Sequence, residues 1–278
     1  FFLLVTVVIA FFILSFNLQG GLERVTKYMM SALLVLMLAL AVHSLFLKGA
    51  GEGMTFYLKP DFSKIDGSVI VGAMNQAFFT LSTGMGGMAI FGSYIGKEHS
   101  LMGEAIHVIT LDTLVAFLAG VVIFPACFTF NLEVNAGPSL LFDTMAAVFN
   151  NMSGGRIWGS LFFLFMVFAA MSTVLGVCEN ILAMIRELTG WSRPKCSVVC
   201  GTGVFLLALT TALGFSVFHF QPFAEGTTWL DFWDFIVSNN ILPLGSLILA
   251  LFCCNKFGWG WDNFIKEANE GKGLKIKS

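Results

Sequence analysis

Residues 71–94, VGAMNQAFFTLSTGMGGMAIFGSY, decide how this chain folds. The flanks of the stretch are apolar enough to lie in a membrane, but between them stand Ser82-Thr83-Gly84-Met85-Gly86-Gly87, three glycines and two hydroxyls in six residues. Each glycine weakens a helix by about 1 kcal/mol, and an interrupted helix frees backbone groups that hydrocarbon cannot satisfy. The freed groups must face protein, water or an ion. Half-helix ends at bilayer depth aim a positive dipole end at anionic groups and loose carbonyls at a cation, an arrangement suited to carrying solutes. A continuous helix that packs through its glycines is the alternative reading of this segment.

The surrounding chain is of the membrane class. Hydrophobic residues make up 57% and charged residues 12%, with a mean hydropathy of +0.85; soluble domains carry about twice that charge. Apolar runs of spanning character fall at 1–16, 28–47, 68–95, 105–130, 157–185, 197–218 and 229–254, seven in all with the first cut short. The chain opens at Phe1 inside an apolar run, with no initiator Met, basic leader or cleavage site, as expected of a fragment lacking its N-terminal part. A net charge of −2 points to no nucleic-acid partner. Placing the loop after the first run in the cytoplasm leaves Lys48, Lys59, Lys64 and Arg156 outside and the other 11 of 15 basic residues inside. That split follows the positive-inside tendency and predicts a cytoplasmic C-terminal tail in an inner, plasma-membrane protein. The six cysteines lack framework or metal-ligand spacing and read as reduced packing residues.

Two connections are more than turns. Residues 49–67 form a polar loop with turn chemistry at Lys59-Pro60-Asp61, and residues 131–156 contain PSLLFDTMAAVF, an amphipathic stretch that predicts a short helix of the kind found in lids. Residues 159–188 are helix-compatible throughout, about 45 Å at 1.5 Å per residue, longer than a roughly 30 Å hydrocarbon core. Trp259 and Trp261 predict interfacial anchoring of the polar segment after the last run.

Within the long run, Ala169, Ser172 and Thr173 stand at i, i+3 and i+4, so one carbonyl and two hydroxyls share a helix face. Hard cations take such oxygens, although Ser and Thr in membrane helices also bond back to the preceding turn. Asp112 is an acid within an otherwise uncharged span, where an unpaired carboxylate costs about 2.5–3.5 kcal/mol. Either a cation offsets that cost or Asp112 lies near the interface. Glu179 reads as a structural acid bonded to backbone or a polar neighbour, and His43 and His107 as hydrogen-bonding residues at span ends. An enzyme is not expected, because the chain has no nucleophile elbow with a His partner, no H-E-x-x-H and no phosphate-cradling loop. A channel would also use broken helices, but there is one break and no recognisable filter sequence.

The run Gln76-Ala77-Phe78-Phe79-Thr80-Leu81-Ser82-Thr83-Gly84-Met85-Gly86 with Gly92-Ser93-Tyr94 resembles the unwound sixth helix of the neurotransmitter:sodium symporter family, a family of broken-helix transporters. Phe168-Ala169-Ala170-Met171-Ser172-Thr173 is similar to the eighth helix of that family, Asp112 with Gly120 and Phe124-Pro125 to the seventh, and Leu230-Asp231-Phe232-Trp233 to the start of the tenth. Four matches in order cover most of the chain.

The resemblance implies an all-α polytopic membrane protein with the inverted-repeat, broken-helix, leucine-transporter-like fold, its N-terminal helices missing. On that expectation 1–48 is the end of the first repeat (helices 4 and 5), 49–67 an extracellular loop, 68–256 the second repeat (helices 6 to 10, unwound near 82–87) and 257–278 a cytoplasmic tail. It implies a bacterial-type symporter that imports an amino acid with sodium by alternating access, the missing helices of the same protein completing the site. By carry-over, Thr80 and Asp112 would bind one sodium ion, and the Ala169 carbonyl with the Ser172 and Thr173 hydroxyls a second. Phe79, Thr80, Ser82, Met85, Thr173 and Val177 would line the substrate site, and Asp231 would be an outer-gate acid. Many relatives have Asn where Asp112 stands, charge being balanced by chloride or by a carboxylate one turn on, where this chain has Ala116; the departure implies transport without chloride. Met85 in place of a frequent Phe implies a pocket for hydrophobic or aromatic amino acids. A non-transporting receptor or regulatory subunit of the same fold is the alternative.

Overall fold

The computed structural model describes residues 1–16, 19–132, 134, 140–215, 217, 221, 222 and 225–276. Among them the regular structure is helical, with a single isolated bridge between His99 and Lys272. The helices are α1 (Phe2–Ser15), α2 (Gln19–Leu45), α3 (Ala50–Leu58), α4 (Gly67–Thr80), α5 (Gly87–Tyr94), α6 (Leu101–Phe130), α7 (Met145–Asn151), α8 (Gly155–Thr189), α9 (Arg193–Gly214), α10 (Trp229–Ile236), α11 (Leu242–Cys254) and α12 (Trp261–Ala268). Single π turns precede α7 at Leu140–Thr144 and join α10 to α11 at Val237–Ile241.

Four helical stretches among the described residues are long and apolar enough to cross a membrane alone: α6, α8, α9 and the α10–α11 rod, Trp229–Cys254. The seven apolar runs therefore do not become seven uninterrupted spans. The run 1–16 yields 14 helical residues. The run 68–95 is divided into helices of 14 and 8 residues, as its glycines and hydroxyls require. The run 28–47 leads into a bend of 114° between α2 and α3. Residues 49–67, read from sequence as a polar loop, carry α3 and a 3-10 turn at Phe62–Lys64. The predicted helix in 131–156 is present as the π turn and α7; Pro138 and Ser139 of that prediction lie outside the described residues.

The chain divides into two compact units. One comprises residues 20–64 and 110–173. In it Leu33, Leu36, Met37, Leu40 and Ala41 recur at helical spacing along α2 and are buried with Leu118, Val121, Val122 and Ala126 of α6 and Met145, Val148 and Phe149 around α7. In lipid, burial of apolar groups between helices gains little by itself, so close approach and polar ties have to hold them. Both are present. A side chain on Gly53 would meet the Pro125 backbone at 2.6 Å, and one on Gly49 the Thr129 nitrogen at 2.6 Å, so α3 lies directly on α6. That contact overrides the low helix propensity of Gly49-Ala50-Gly51-Glu52-Gly53. Pro125 removes one backbone donor from α6; in the same region the Ser44 hydroxyl donates to the Val122 carbonyl at 3.3 Å and the Gly49 amide to the Thr129 hydroxyl at 3.0 Å.

The other unit comprises residues 1–19, 65–109 and 174–278. Here α1 packs along α9. Phe11 lies against Gly201, and the Ser197 hydroxyl donates to the Phe11 carbonyl at 3.0 Å. Arg193, at the start of α9, donates through Nε to the Leu14 carbonyl at 2.6 Å and through Nη2 to Glu179 at 2.7 Å. Glu179 is thus a structural acid, paired with a guanidinium that also caps the end of α1. After α12 the chain folds back along 98–100: the Lys272 amide donates to the Glu98 carbonyl at 2.9 Å, the Ser100 amide to the Lys272 carbonyl at 3.3 Å, and Lys97 pairs with Glu270 at 3.2 Å. Gly271, at φ +82°, permits the approach; a side chain there would meet the His99 carbonyl carbon at 2.7 Å.

Candidate functional site

The entry to the break is a defined helix. Asp66 caps α4, its carboxylate accepting from the Val69 amide at 2.9 Å and from the Ser68 hydroxyl at 2.6 Å. The Ser68 hydroxyl, and then the Val69 amide, hold this carboxyl below its ordinary 3.8. α4 runs to Thr80 and closes with the Ser82 amide on the Phe79 carbonyl and the Thr83 amide on the Phe78 carbonyl, each at 3.1 Å. The backbone then alternates through left-handed residues: Ser82 at φ +51°, Gly84 at +80° and Gly86 at +75°. Glycine takes such angles freely, whereas Ser82 is held there at a cost of order 1 kcal/mol or more. α5 begins at Gly87. The interruption spans residues 81–86.

The unwound segment is seated on α11. A side chain on Gly84 would collide with the Leu242 carbonyl and come within 2.8 Å of the Ser246 nitrogen, and one on Gly245 would collide with the Gly84 carbonyl. The Ser246 hydroxyl donates to the Thr83 hydroxyl at 3.2 Å. On the other side, the Asn180 amide of α8 donates to the Met85 carbonyl at 2.9 Å. Five residues before the end of α4, buried Asn75 donates to Asn239 at 3.0 Å, within the π turn between α10 and α11. π turns are enriched at functional sites because they free or re-aim backbone groups.

The sequence-predicted residues fall into two groups. Phe79, Thr80, Ser82, Met85 and Val177 belong to the same unit as the break, while Asp112, Ala169, Ser172 and Thr173 belong to the other. Phe79 is 49% exposed and Val177 38%; Thr80 and Thr173 are exposed as well, whereas Ser82 and Met85 are half-buried. Ala169, Ser172 and Thr173 come together: the Ser172 hydroxyl donates to the Ala169 carbonyl at 2.8 Å and the Thr173 hydroxyl does so at 3.2 Å. The cluster therefore presents three oxygens on one turn of α8. Both hydroxyl protons rotate, and turning them outward leaves three lone-pair donors for a hard cation. Asp112 is half-buried on α6, in the middle of a membrane-crossing helix.

Asp231 has a structural employment that sequence reading passed over. Its carboxylate accepts from both the Thr228 amide and the Thr228 hydroxyl at 2.7 Å, and its own amide donates back to that hydroxyl at 3.3 Å. This is a capping box at the start of α10. One turn on, Asp234 accepts from the Ser238 hydroxyl at 2.6 Å. Asn75, Asn180, Asn239 and Ser246, which tie the break to its neighbours, were also missed. Their signal was present, since a neutral polar side chain inside an apolar run also needs a hydrogen-bond partner, if less acutely than an acid does.

The chain matches the Sodium:neurotransmitter symporter family over residues 1–275. It is 35% identical over 253 residues to an uncharacterized sodium-dependent transporter of Haemophilus influenzae, covering 91% of this chain and 55% of the relative. It is 34% identical over 249 residues to a second, from Bacillus subtilis, covering 90% and 55%. A more distant similarity, 26% over 257 residues, covers 83% of this chain and 40% of the human sodium- and chloride-dependent creatine transporter 1. Among solved structures, MhsT in complex with L-phenylalanine is similar with a TM-score of 0.88 and 36% identity, over 97% of this chain and 61% of that one. The chain thus spans about half the length of the bacterial relatives.

Proposed function

Because the chain belongs to the Sodium:neurotransmitter symporter family and has the multi-pass, leucine-transporter-like helical fold, we propose that the full-length protein carrying it imports an apolar or aromatic amino acid together with sodium. The observation that carries this reading is the unwound segment 81–86, held open in a membrane-class helix by three left-handed residues. The bound L-phenylalanine of the MhsT complex supports the substrate class.

In this reading Phe79, Thr80, Ser82, Met85, Thr173 and Val177 face the amino acid, and N-terminal helices of the same protein cover the exposed ones. Ala169, Ser172 and Thr173 hold one sodium ion through hydroxyl and carbonyl oxygens, and Thr80 and Asp112 contribute to a second. A fixed carboxylate at Asp112 supplies the charge that chloride supplies elsewhere, so chloride is not needed. The capping geometry gives Asp231 a role in starting α10 in addition to any gating role. Residues 257–278 lie on the cytoplasmic face of the plasma membrane. Sodium and substrate order the broken helix, and alternating access follows from rocking of one group of helices against another. The membrane potential contributes roughly 2.3 kcal/mol per charge per 100 mV to accumulation.

The test is uptake of a labelled amino-acid panel into proteoliposomes holding the full-length protein, with and without an inward sodium gradient, and with Ser172→Ala plus Thr173→Ala. Sodium-driven accumulation that the double variant loses is expected. Sodium-dependent binding without uptake would replace the transporter reading with that of a receptor. Strong chloride stimulation at fixed sodium would remove the charge-balancing role of Asp112.

A further inference from the structure

The geometry points to Asn180 as a specificity-determining residue that sets the spacing between two walls of the substrate site; the inference rests on the amino-acid reading above. Its amide nitrogen donates to the backbone carbonyl of Met85 at 2.9 Å, and a side chain on Gly87 would touch the same nitrogen at 4.0 Å. The amide therefore sits over the end of the unwound segment, where α5 begins. Val177 lies three residues earlier on α8, so it and Asn180 share a helix face. Met85 and Val177 are, with Phe79 of α4, the apolar residues assigned to the substrate site, one on the unwound segment and one on α8. A single hydrogen bond ties the backbone of the first to the helix that carries the second.

The remainder of the segment has little freedom to compensate. Gly84 abuts the Leu242 carbonyl and the Ser246 backbone nitrogen, Gly245 abuts the Gly84 carbonyl, and Ser246 donates to Thr83. Thr83 and Gly84 are thereby fixed on α11, whereas Met85 is held toward α8 through Asn180. Loss of the Asn180 donor frees the Met85 carbonyl and lets that wall recede, while the oxygen cluster of Ala169, Ser172 and Thr173 keeps its own bonds. Selectivity, rather than sodium dependence, is what the bond controls. Apolar pockets discriminate by fit, and a change of one methylene in fit is worth about 10- to 200-fold, so a wall that gives by a fraction of that size changes ratios measurably.

The experiment measures sodium-dependent displacement of labelled L-phenylalanine by L-leucine, L-valine and L-alanine on the full-length protein. It compares wild type with Asn180→Leu, which keeps the shape and removes the donor, Asn180→Ala as a second donor-free variant, and Asn180→Gln, which keeps a donor. The expected result is a flattening of the phenylalanine-to-alanine affinity ratio by at least about fivefold in both donor-free variants, with half-saturating sodium unchanged and selectivity partly restored in Asn180→Gln. Equal weakening of all four amino acids, or unchanged ratios in both donor-free variants, would overturn the inference while leaving the transporter reading standing. Absence of sodium-dependent amino-acid binding by the wild type would remove both.

Discussion

The Arg193–Glu179 pair offers a quantitative test of how this fold is held. The two side chains are 17% and 11% exposed, with their charged atoms 2.7 Å apart, and Arg193 also donates to the Leu14 carbonyl at 2.6 Å. Removing one member of a buried pair strands the other in a poor solvent for charge, at a cost of about 3–5 kcal/mol. Glu179→Ala and Arg193→Ala should each lower the folded-to-unfolded ratio by roughly two to four orders of magnitude. Replacing both by apolar groups of similar bulk, Glu179→Leu with Arg193→Met, strands neither charge. Such replacements of buried pairs are often neutral, leaving mainly the lost charge-assisted bond to Leu14, about 1.5–3 kcal/mol. The double variant is thus expected to be more stable than either single one. The assay is reversible denaturant titration of the full-length protein in mixed micelles, followed by helical circular dichroism. A double variant as unstable as the sum of the two single ones would refute the reasoning, as would single variants that cost less than about 1 kcal/mol.

Three further outcomes are expected. Gly84→Ala should abolish sodium-dependent binding and destabilise strongly, because a methyl there collides with the Leu242 carbonyl at a φ of +80°; Gly86→Ala, at φ +75° with nothing within 4 Å, should cost only the conformational penalty of about 1–2 kcal/mol. Equal thermal shifts for the two variants would contradict the seating of the break on α11. The carboxyl of Asp66 is held below 3.8 in the folded state, so its capping contribution is fully present above that value and is lost as pH falls through the depressed folded value. Protection of the Val69 amide against hydrogen exchange should therefore persist on acidification through 3.8 and fail only as pH drops through the lower folded value, whereas Asp66→Asn should remove that acid transition. Finally, Gly271→Ala should speed exchange of the Lys272 and Ser100 amides without altering protection in α9, since those two amides pair across 98–100 and 272.

The break was legible because its composition contradicts its surroundings: glycine and hydroxyls in hydrocarbon have few structural uses. The oxygen triad was legible for a similar reason, as its spacing alone places three donors on one turn. α3 was not, because Gly49, Ala50, Gly51 and Gly53 read as loop formers, and the force that makes them a helix is contact with Pro125 and Thr129 far along the chain. The role of Asp231 is legible in Thr228-Trp229-Leu230-Asp231, an N-cap hydroxyl with an acid three residues on, the local pattern of a capping box. Glu179 was expected to have a partner. That the partner is Arg193 depends on the turn between α8 and α9, whose geometry no periodicity encodes. Seven apolar runs could not be separated into whole and broken spans by hydropathy, since a bend such as that between α2 and α3 leaves average hydropathy unchanged.

The pairing of 98–100 with 270–272 also carries a consequence for how the chain is made. Lys97 and Glu270 are separated by 173 positions, and α6 to α12 all lie between them in the order of synthesis. During translation the 96–100 loop emerges long before its cover exists, and the contact closes only after every intervening helix has left the ribosome. Its formation therefore marks the arrival of the last of these elements, and a nascent chain stalled before Lys272 presents that loop bare to proteases and chaperones.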